Sequence, residues 1–237
     1  MFNIRIIIRR EIQSFFNSPM AYIFLVIFAI VSGYFFTNTF FLFGQSDLRV
    51  LFDMIPLVYL FFIPAVSMGL IARENNIGTM ETISTMPLST YEFVIGKFLA
   101  GLSLIMLGLL ATSIHFITLV AVGTNIDFGA IFSGYLGLAL MGATFTAIGI
   151  YASSVTENQV VAFIIGVFLV LVFYMLDKTL VFAPQSIVGI IQFLAIDYHL
   201  SNISRGVIDS RNIIYFLSMI GFFIYLTIQT LEVRRWK

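Results

Sequence analysis

Two histidines and one glycine–lysine pair are the residues whose types could support catalysis, metal binding or nucleotide binding. His115 and His199 lie far apart in the sequence, and the chain has no cysteine, which excludes thiolate metal sites and thiol nucleophiles. A phosphate-binding loop requires the pattern G-x-x-x-x-G-K-[ST], whereas Gly96 and Lys97 are followed by Phe98 and lack the upstream glycine. We therefore predict no catalytic residue, no metal site and no cofactor in this chain. An ionisable group within an apolar run indicates either a function or a hydrogen bond to a neighbouring hydroxyl, and both readings stay open for His115.

The composition indicates whether water or lipid surrounds the secondary structure that holds these residues. The chain is 60% hydrophobic and 10% charged, and its net charge is zero. Ordinary soluble domains are roughly 45 to 50% apolar and about 25% charged. So few charges cannot cover a water-exposed surface, and no basic field is present to attract nucleic acid. We predict an all-α integral membrane protein with one domain, 1–237.

Residues 2–17 show the pattern of an amphipathic helix. Ile4, Ile8 and Ile12 lie on one side, and Arg5 and Arg9 lie on the other. A basic face opposite an apolar face suits the headgroup region, so we expect this helix to lie flat on the cytoplasmic leaflet. The basic residues that we expect at this membrane interface are Arg5, Arg9 and Arg10.

Six apolar runs are long enough, or nearly so, to cross about 30 Å of hydrocarbon. The predicted transmembrane helices are 20–43, 54–72, 98–122, 128–152, 160–176 and 213–231. Six spans leave eight basic residues on the side of the termini and four on the other side. The excess of Lys and Arg inside places both termini in the cytoplasm.

The external loop 178–212 contains a shorter apolar stretch, 186–196. Its length fits a re-entrant helix, an interfacial helix or a seventh span. A seventh span would change the basic residues to seven inside and five outside, so six spans agree better with the charge distribution.

The cytoplasmic loop 73–97 is expected to contain two short helical pieces. The first covers 78–86 and ends before Pro87, because the residue before a proline is disfavoured in the α region. Ser89 and Glu92 have the spacing of a capping box, which restarts a helix leading into the third span. On these grounds the loop is either a rigid foot or a simple linker.

The motifs of this loop resemble the coupling-helix region of ABC-2 type permeases. The matching residues are Glu74, Gly78, Thr79, Glu81, Pro87, Leu88, Ser89, Gly96 and Lys97. Further stretches, including REIQSFFNSPMAY, SSVTENQVVAF and YHLSNISRGVIDSRNIIYF, are similar to permease subunits of gliding-motility complexes.

The resemblance implies the ABC-2 exporter permease fold: six transmembrane helices, an N-terminal interfacial helix, a cytoplasmic coupling helix and a re-entrant external segment. It implies a half-transporter in a bacterial inner membrane, paired with a second copy or a related permease. An ABC ATPase subunit would bind ATP and Mg²⁺, and an auxiliary subunit with a large external domain would join a gliding-type complex. The residues expected to face the ATPase are Glu74, Gly78, Thr79, Glu81, Pro87, Glu157 and Asn158.

Three other functions would make different demands on the sequence. An intramembrane enzyme would need paired Asp, a Ser/His constellation or H-E-x-x-H in the spans, and the spans contain none of these patterns. An ion-coupled carrier would normally bury carboxylates near the midplane, whereas the acids here fall in loops or at span ends. A structural membrane anchor of a motility or secretion complex stays open.

Overall fold

The computed structural model describes residues 2–44, 46–79, 88–124 and 126–235, and this part of the chain is helical with no strand. Eleven α-helices follow one another within it. They are α1 Phe2–Asn17, α2 Pro19–Thr37, α3 Arg49–Ser67, α4 Gly69–Ile77, α5 Thr90–Ala111, α6 Ser113–Val122, α7 Phe128–Val155, α8 Gln159–Thr179, α9 Gln185–Leu194, α10 Ile196–Ser204 and α11 Ser210–Arg235. A π-helical turn, Asn38–Leu42, extends α2, and a 3-10 turn, Leu180–Phe182, extends α8.

The six predicted membrane spans are confirmed. The described helices that are long and apolar enough to cross a bilayer are Pro19–Leu42, Arg49–Ile77, Thr90–Val122, Phe128–Val155, Gln159–Phe182 and Ser210–Arg234. The second span reaches five residues beyond the predicted end at 72, and the third begins eight residues before the predicted start at 98. The apolar runs mark only the part of each helix that lies in hydrocarbon. Here the second and third spans continue beyond that part as polar turns, and the side chains of these turns find partners within the protein.

The fourth span, α7, is the most buried of the six and forms the centre of the bundle. A Cβ atom added at Gly149 would lie 1.9 Å from the Oγ atom of Ser67, so α7 and α3 approach each other more closely than a side chain allows. Ala143 and Ala147 are also buried within the chain. The small residues of α7 therefore permit close packing inside one subunit.

Two spans are broken near their middle or end, and in each case α7 supplies the missing polar contacts. The third span breaks at Thr112, whose carbonyl accepts a hydrogen bond from the Tyr135 hydroxyl at 3.1 Å. The second span breaks at Met68, between α3 and α4. There the Ser153 hydroxyl donates to the Met68 carbonyl at 2.7 Å. The breaks are thus satisfied internally, as the apolar surroundings require.

The predicted stretch 186–196 lies in two short helices, α9 and α10, which meet at an angle of 71°. His199 in α10 is buried, and its Nδ1 atom lies 2.7 Å from Asn212 Oδ1 of α11. Lys178 donates to Asp197 at 2.6 Å and links α8 to α10. This bent pair is therefore fixed to the last two spans.

His115 contacts the first span. Its Nε2 atom lies 3.3 Å from the Ser32 hydroxyl, and its ring stacks on Phe36 with 4.8 Å between the centroids. The hydroxyl-bonded reading of this histidine agrees with these contacts.

Candidate functional site

Two cationic and two anionic side chains form a compact group at the end of the bundle that carries the chain termini. Lys97 lies 3.0 Å from Glu74 Oε1 and 3.3 Å from Glu11 Oε1. Arg10 lies 2.6 Å from the same Glu74 oxygen and 2.9 Å from the same Glu11 oxygen. We call Arg10, Glu11, Glu74 and Lys97 the charge cluster. Each carboxylate contacts both cations, so the four groups compensate one another.

Lys97 is the most deeply buried member of the cluster, with only 1% of its side chain exposed. Its ammonium also lies 5.1 Å from the centre of the Phe93 ring, in a cation–π contact. Taking an ammonium out of water costs several kcal/mol, and nearby opposite charges recover that cost only when the geometry is good. The two carboxylates therefore permit Lys97 to be buried and charged.

Arg10 is held in the charged state by its neighbours. Partial burial lowers the pKa of Arg10, but hydrogen bonds and the charges of Glu11 and Glu74 outweigh that effect and raise it above its usual value.

Close packing of α1 on α5 brings Glu11 to the cluster. A Cβ atom at Gly96 would lie 2.8 Å from Ile7 Cγ2, so the glycine allows the two helices to approach. Glu11 lies one helical turn after Ile7 and reaches Lys97, which directly follows Gly96. One turn before Ile7, the Asn3 amide donates to Glu92 at 3.1 Å. Three successive turns of α1 are thus in register with α5.

The cluster joins both ends of the connection between the second and third spans. Glu74 precedes this connection in α4, and Lys97 follows it in α5. The predicted capping box is confirmed, because the Ser89 hydroxyl accepts from Glu92 N at 3.1 Å and the Glu92 carboxylate accepts from Ser89 N. Both helices that flank residues 78–89 are therefore fixed to each other and to α1.

A second set of contacts fixes α4 to the end of α7. The Ser153 hydroxyl accepts from Ile71 N at 3.0 Å and from Ala72 N at 2.9 Å, so it caps α4 from another helix. Arg234 donates to the Val155 carbonyl at 2.6 Å and brings the end of α11 to the same place. The residues at this end of the molecule form one connected polar layer.

The structure places the predicted coupling residues in different surroundings. Glu74 has two cationic partners in its own chain, and its contact with another subunit stays a prediction. Gly78 ends α4 with a φ of +76°, and the Thr79 hydroxyl donates to the Glu74 carbonyl at 3.2 Å. Glu81 and Pro87 lie outside the described residues, as does the predicted helical piece beyond Thr79.

The second loop presents one exposed residue and one helix cap. Glu157 is 69% exposed, and its carboxylate lies 3.9 Å from Arg234. The Asn158 side chain accepts from Val160 N at 2.8 Å, as the N-cap of α8. Glu157 is therefore the more available of the two for contact with a partner.

The three interfacial arginines also differ from one another. Arg5 and Arg9 are exposed on α1, whereas Arg10 turns toward the charge cluster. Their contact with lipid headgroups stays a prediction. Glu11 was missed by sequence reasoning, although a signal was present. It lies three residues after Ile8 and four before Phe15, so it interrupts the apolar stripe of α1 with a carboxylate.

The arrangement links helices by ion pairs and caps, and within the described residues no group of three or more His, Asp and Glu side chains could hold a metal ion.

A family model described as "ABC-2 type transporter" matches residues 3–177. The match covers most of the chain and includes all four residues of the charge cluster. No curated protein matches the chain.

Proposed function

Because the chain belongs to the ABC-2 type transporter family and is thus a membrane permease subunit of an ABC exporter, we propose that a separate ATPase moves its helices through the charge cluster. The observation that carries this proposal is the buried Lys97, which joins α1, α4 and α5 at the ends of the connection 78–89. A force applied to that connection would move the three helices together, because their polar contacts cannot separate without leaving the buried charge of Lys97 unpaired.

The proposed orientation places the charge cluster in the cytosol, where ATP is available. Basic residues are concentrated in α1, near the cluster and at the end of α11, which agrees with the positive-inside rule. The proposed location is a bacterial inner membrane, with both termini in the cytoplasm. ATP and Mg²⁺ would bind the ATPase partner, and a second copy or a related permease would complete the transporter.

Labels at the two ends of the chain test this orientation. Cysteines introduced at Asn3 and at Trp236 can be used because the natural chain has no cysteine. In intact cells, both should resist a membrane-impermeant maleimide and react only after the membrane is permeabilised. Reaction of either one in intact cells would contradict the proposed orientation, and a cysteine at Arg205 serves as the externally accessible control.

The coupling role predicts a specific effect of substitutions in the cytoplasmic loop 73–97, here called the foot. Replacing Gly78 by alanine together with Glu81 by glutamine should weaken ATPase association about tenfold, with the spans still folded. The αL backbone at Gly78 costs a non-glycine residue about 1 kcal/mol, and an interfacial charge contributes a similar amount. Co-purification of the ATPase and nucleotide turnover by the complex would measure the loss.

Gly44 supplies a matched control for this variant. It has a φ of +65° at the opposite end of the bundle and, like Gly78, no neighbour that a methyl group would meet. Gly44→Ala should share the backbone strain and leave ATPase association unchanged. Equal association and equal turnover in the foot variant and Gly44→Ala would refute the coupling role.

The finer proposal is that the permease belongs to a gliding-motility-type complex. It is supported by the resemblance of REIQSFFNSPMAY and YHLSNISRGVIDSRNIIYF to permeases of such complexes. Recovery of an auxiliary subunit with a large external domain in the purified complex would support it. A purified complex that contains only ATPase and permease subunits would contradict it.

A further inference from the structure

A cavity of about 570 Å³ opens beside the charge cluster, between α1 and the first two spans. Its volume lies within the range of roughly 300 to 1,000 Å³ that is usual for small-molecule sites. One wall is polar and includes the whole charge cluster together with Arg73. The other wall is apolar and is formed by Phe15, Met20, Ile23, Ala65 and Val66. This combination is typical of a site for a molecule with a charged head and a hydrocarbon tail.

The hydrogen bonds of the cluster leave acceptors without donors. Arg10 and Lys97 direct their hydrogen bonds to the Oε1 atoms of Glu11 and Glu74. Within the described residues, the Oε2 atom of Glu74 is buried and has no hydrogen-bond partner. The Oε2 atom of Glu11 accepts no hydrogen bond from the described residues either. A buried carboxylate oxygen such as Glu74 Oε2 normally receives a donor, because burying it without one is costly.

Arg73 supplies the complementary charge. It is exposed at the edge of the cavity, and it makes no ion pair with any described residue. A guanidinium with free donors binds phosphate oxygens in two-pronged geometry. The cavity therefore offers an anion-binding group and anionic acceptors side by side.

The position of the cavity favours a ligand that comes from the membrane. The amphipathic helix α1 belongs at the headgroup level, and Ile23, one turn inside the first span, is 53% exposed on the side that would face lipid. A molecule held here would place its head among the charges and its chains along Ile23 and Phe15.

We propose that this cavity binds the headgroup of an aminophospholipid such as phosphatidylethanolamine from the leaflet next to α1. The phosphate would pair with Arg73, and the primary ammonium would donate to the carboxylates of Glu11 and Glu74. Both carboxylates line the cavity. The site would then tie lipid occupancy to the same helices that the charge cluster joins.

The test compares two lipids whose headgroups differ by three N-methyl groups, which replace the N–H donors and enlarge the head. The detergent-purified full chain is titrated with dioctanoyl phosphatidylethanolamine or dioctanoyl phosphatidylcholine, and the shift of the thermal unfolding midpoint gives each Kd. Both lipids carry a phosphate and a cationic nitrogen, but only the first has N–H groups. Since a hydrogen bond to a charged group is worth about one factor of ten or more, we expect phosphatidylethanolamine to bind about tenfold tighter. Equal affinities would overturn the proposal.

Two further comparisons test whether the ligand comes from the membrane and whether Arg73 binds it. Free phosphoethanolamine should bind at least tenfold more weakly than the lipid, because it lacks the chains that cover the apolar wall; equal binding would overturn the membrane source. Arg73→Gln should remove most of the phosphatidylethanolamine affinity. Arg205→Gln, which changes an exposed arginine at the opposite end of the bundle, should leave it intact. An unchanged Kd in Arg73→Gln, or tighter binding of dioctanoyl phosphatidylglycerol, would also refute the site.

None of these measurements needs an ATPase partner or nucleotide. The lipid site can therefore fail while the proposed coupling stands, and the coupling can fail while the lipid binds.

Discussion

Replacing Lys97 by methionine is expected to lower the free energy of unfolding by about 3 to 5 kcal/mol, the usual cost of removing one partner from a buried ion pair. Methionine retains an unbranched apolar stem that can pack on Phe93, so the change mainly removes the charge. Glu11 and Glu74 would then face each other with only the half-exposed Arg10 between them. Reversible unfolding in mixed detergent micelles would measure the loss.

Lys178 provides the matched control, because it is also a lysine in an ion pair at the end of a span. Its contact with Asp197 is shorter, at 2.6 Å, but its side chain is 56% exposed. Exposed pairs contribute about 0 to 1 kcal/mol, so Lys178→Met should change stability little. Similar losses in the two variants would contradict the importance that we assign to burial.

A double variant distinguishes lost charge balance from lost packing. Combining Lys97→Met with Glu74→Gln removes one cation and one anion, so the remaining cluster is again balanced. It should recover part of the stability that Lys97→Met loses, since replacing a whole buried pair by neutral groups is often nearly neutral. No recovery would mean that the loss came from packing around the lysine stem.

Replacing Gly149 by alanine is expected to cost at least about 1 to 3 kcal/mol, the range for overpacking a tight core, and to reduce the amount of folded protein. The new methyl group would lie 1.9 Å from Ser67 Oγ and 2.8 Å from Ser67 Cβ, so α3 and α7 would have to move apart. That movement would also disturb Ser153, one turn further along α7, and the cap that it provides for α4. Thermal unfolding and the yield of monodisperse protein would report the change.

Two further variants serve as controls for this prediction. Gly189→Ala adds a methyl group where no atom lies within 4 Å and should leave stability nearly unchanged. Ser67→Gly combined with Gly149→Ala exchanges the small and large positions and should restore part of the loss. A stable Gly149→Ala single variant would show that the α3–α7 contact is looser than the structure indicates.

The sequence predicted the number and order of the membrane spans because lipid contact requires long apolar runs. It also predicted the start of α5, since the capping box of Ser89 and Glu92 depends only on local spacing. The charge cluster could not be predicted in the same way. Glu11 and Lys97 are 86 residues apart, and their meeting depends on the close approach of α1 to Gly96.

The surroundings of Glu74 and Arg10 were beyond sequence reasoning for a related reason. Each residue was expected to face outward, one toward a partner protein and the other toward lipid headgroups. In the structure each finds an opposite charge from a distant segment, at 2.6 Å. A charged residue at a span end has several candidate partners, and only the packing of the helices decides among them.

The register of α1 on α5 has a consequence for how the chain is made. Asn3 contacts Glu92, which the ribosome adds 89 residues later, so α1 cannot dock until the start of the third span has emerged. A chain whose synthesis stops before Lys97 leaves the carboxylate of Glu11 without its buried cation. The charge cluster therefore cannot assemble until Lys97 has been synthesised.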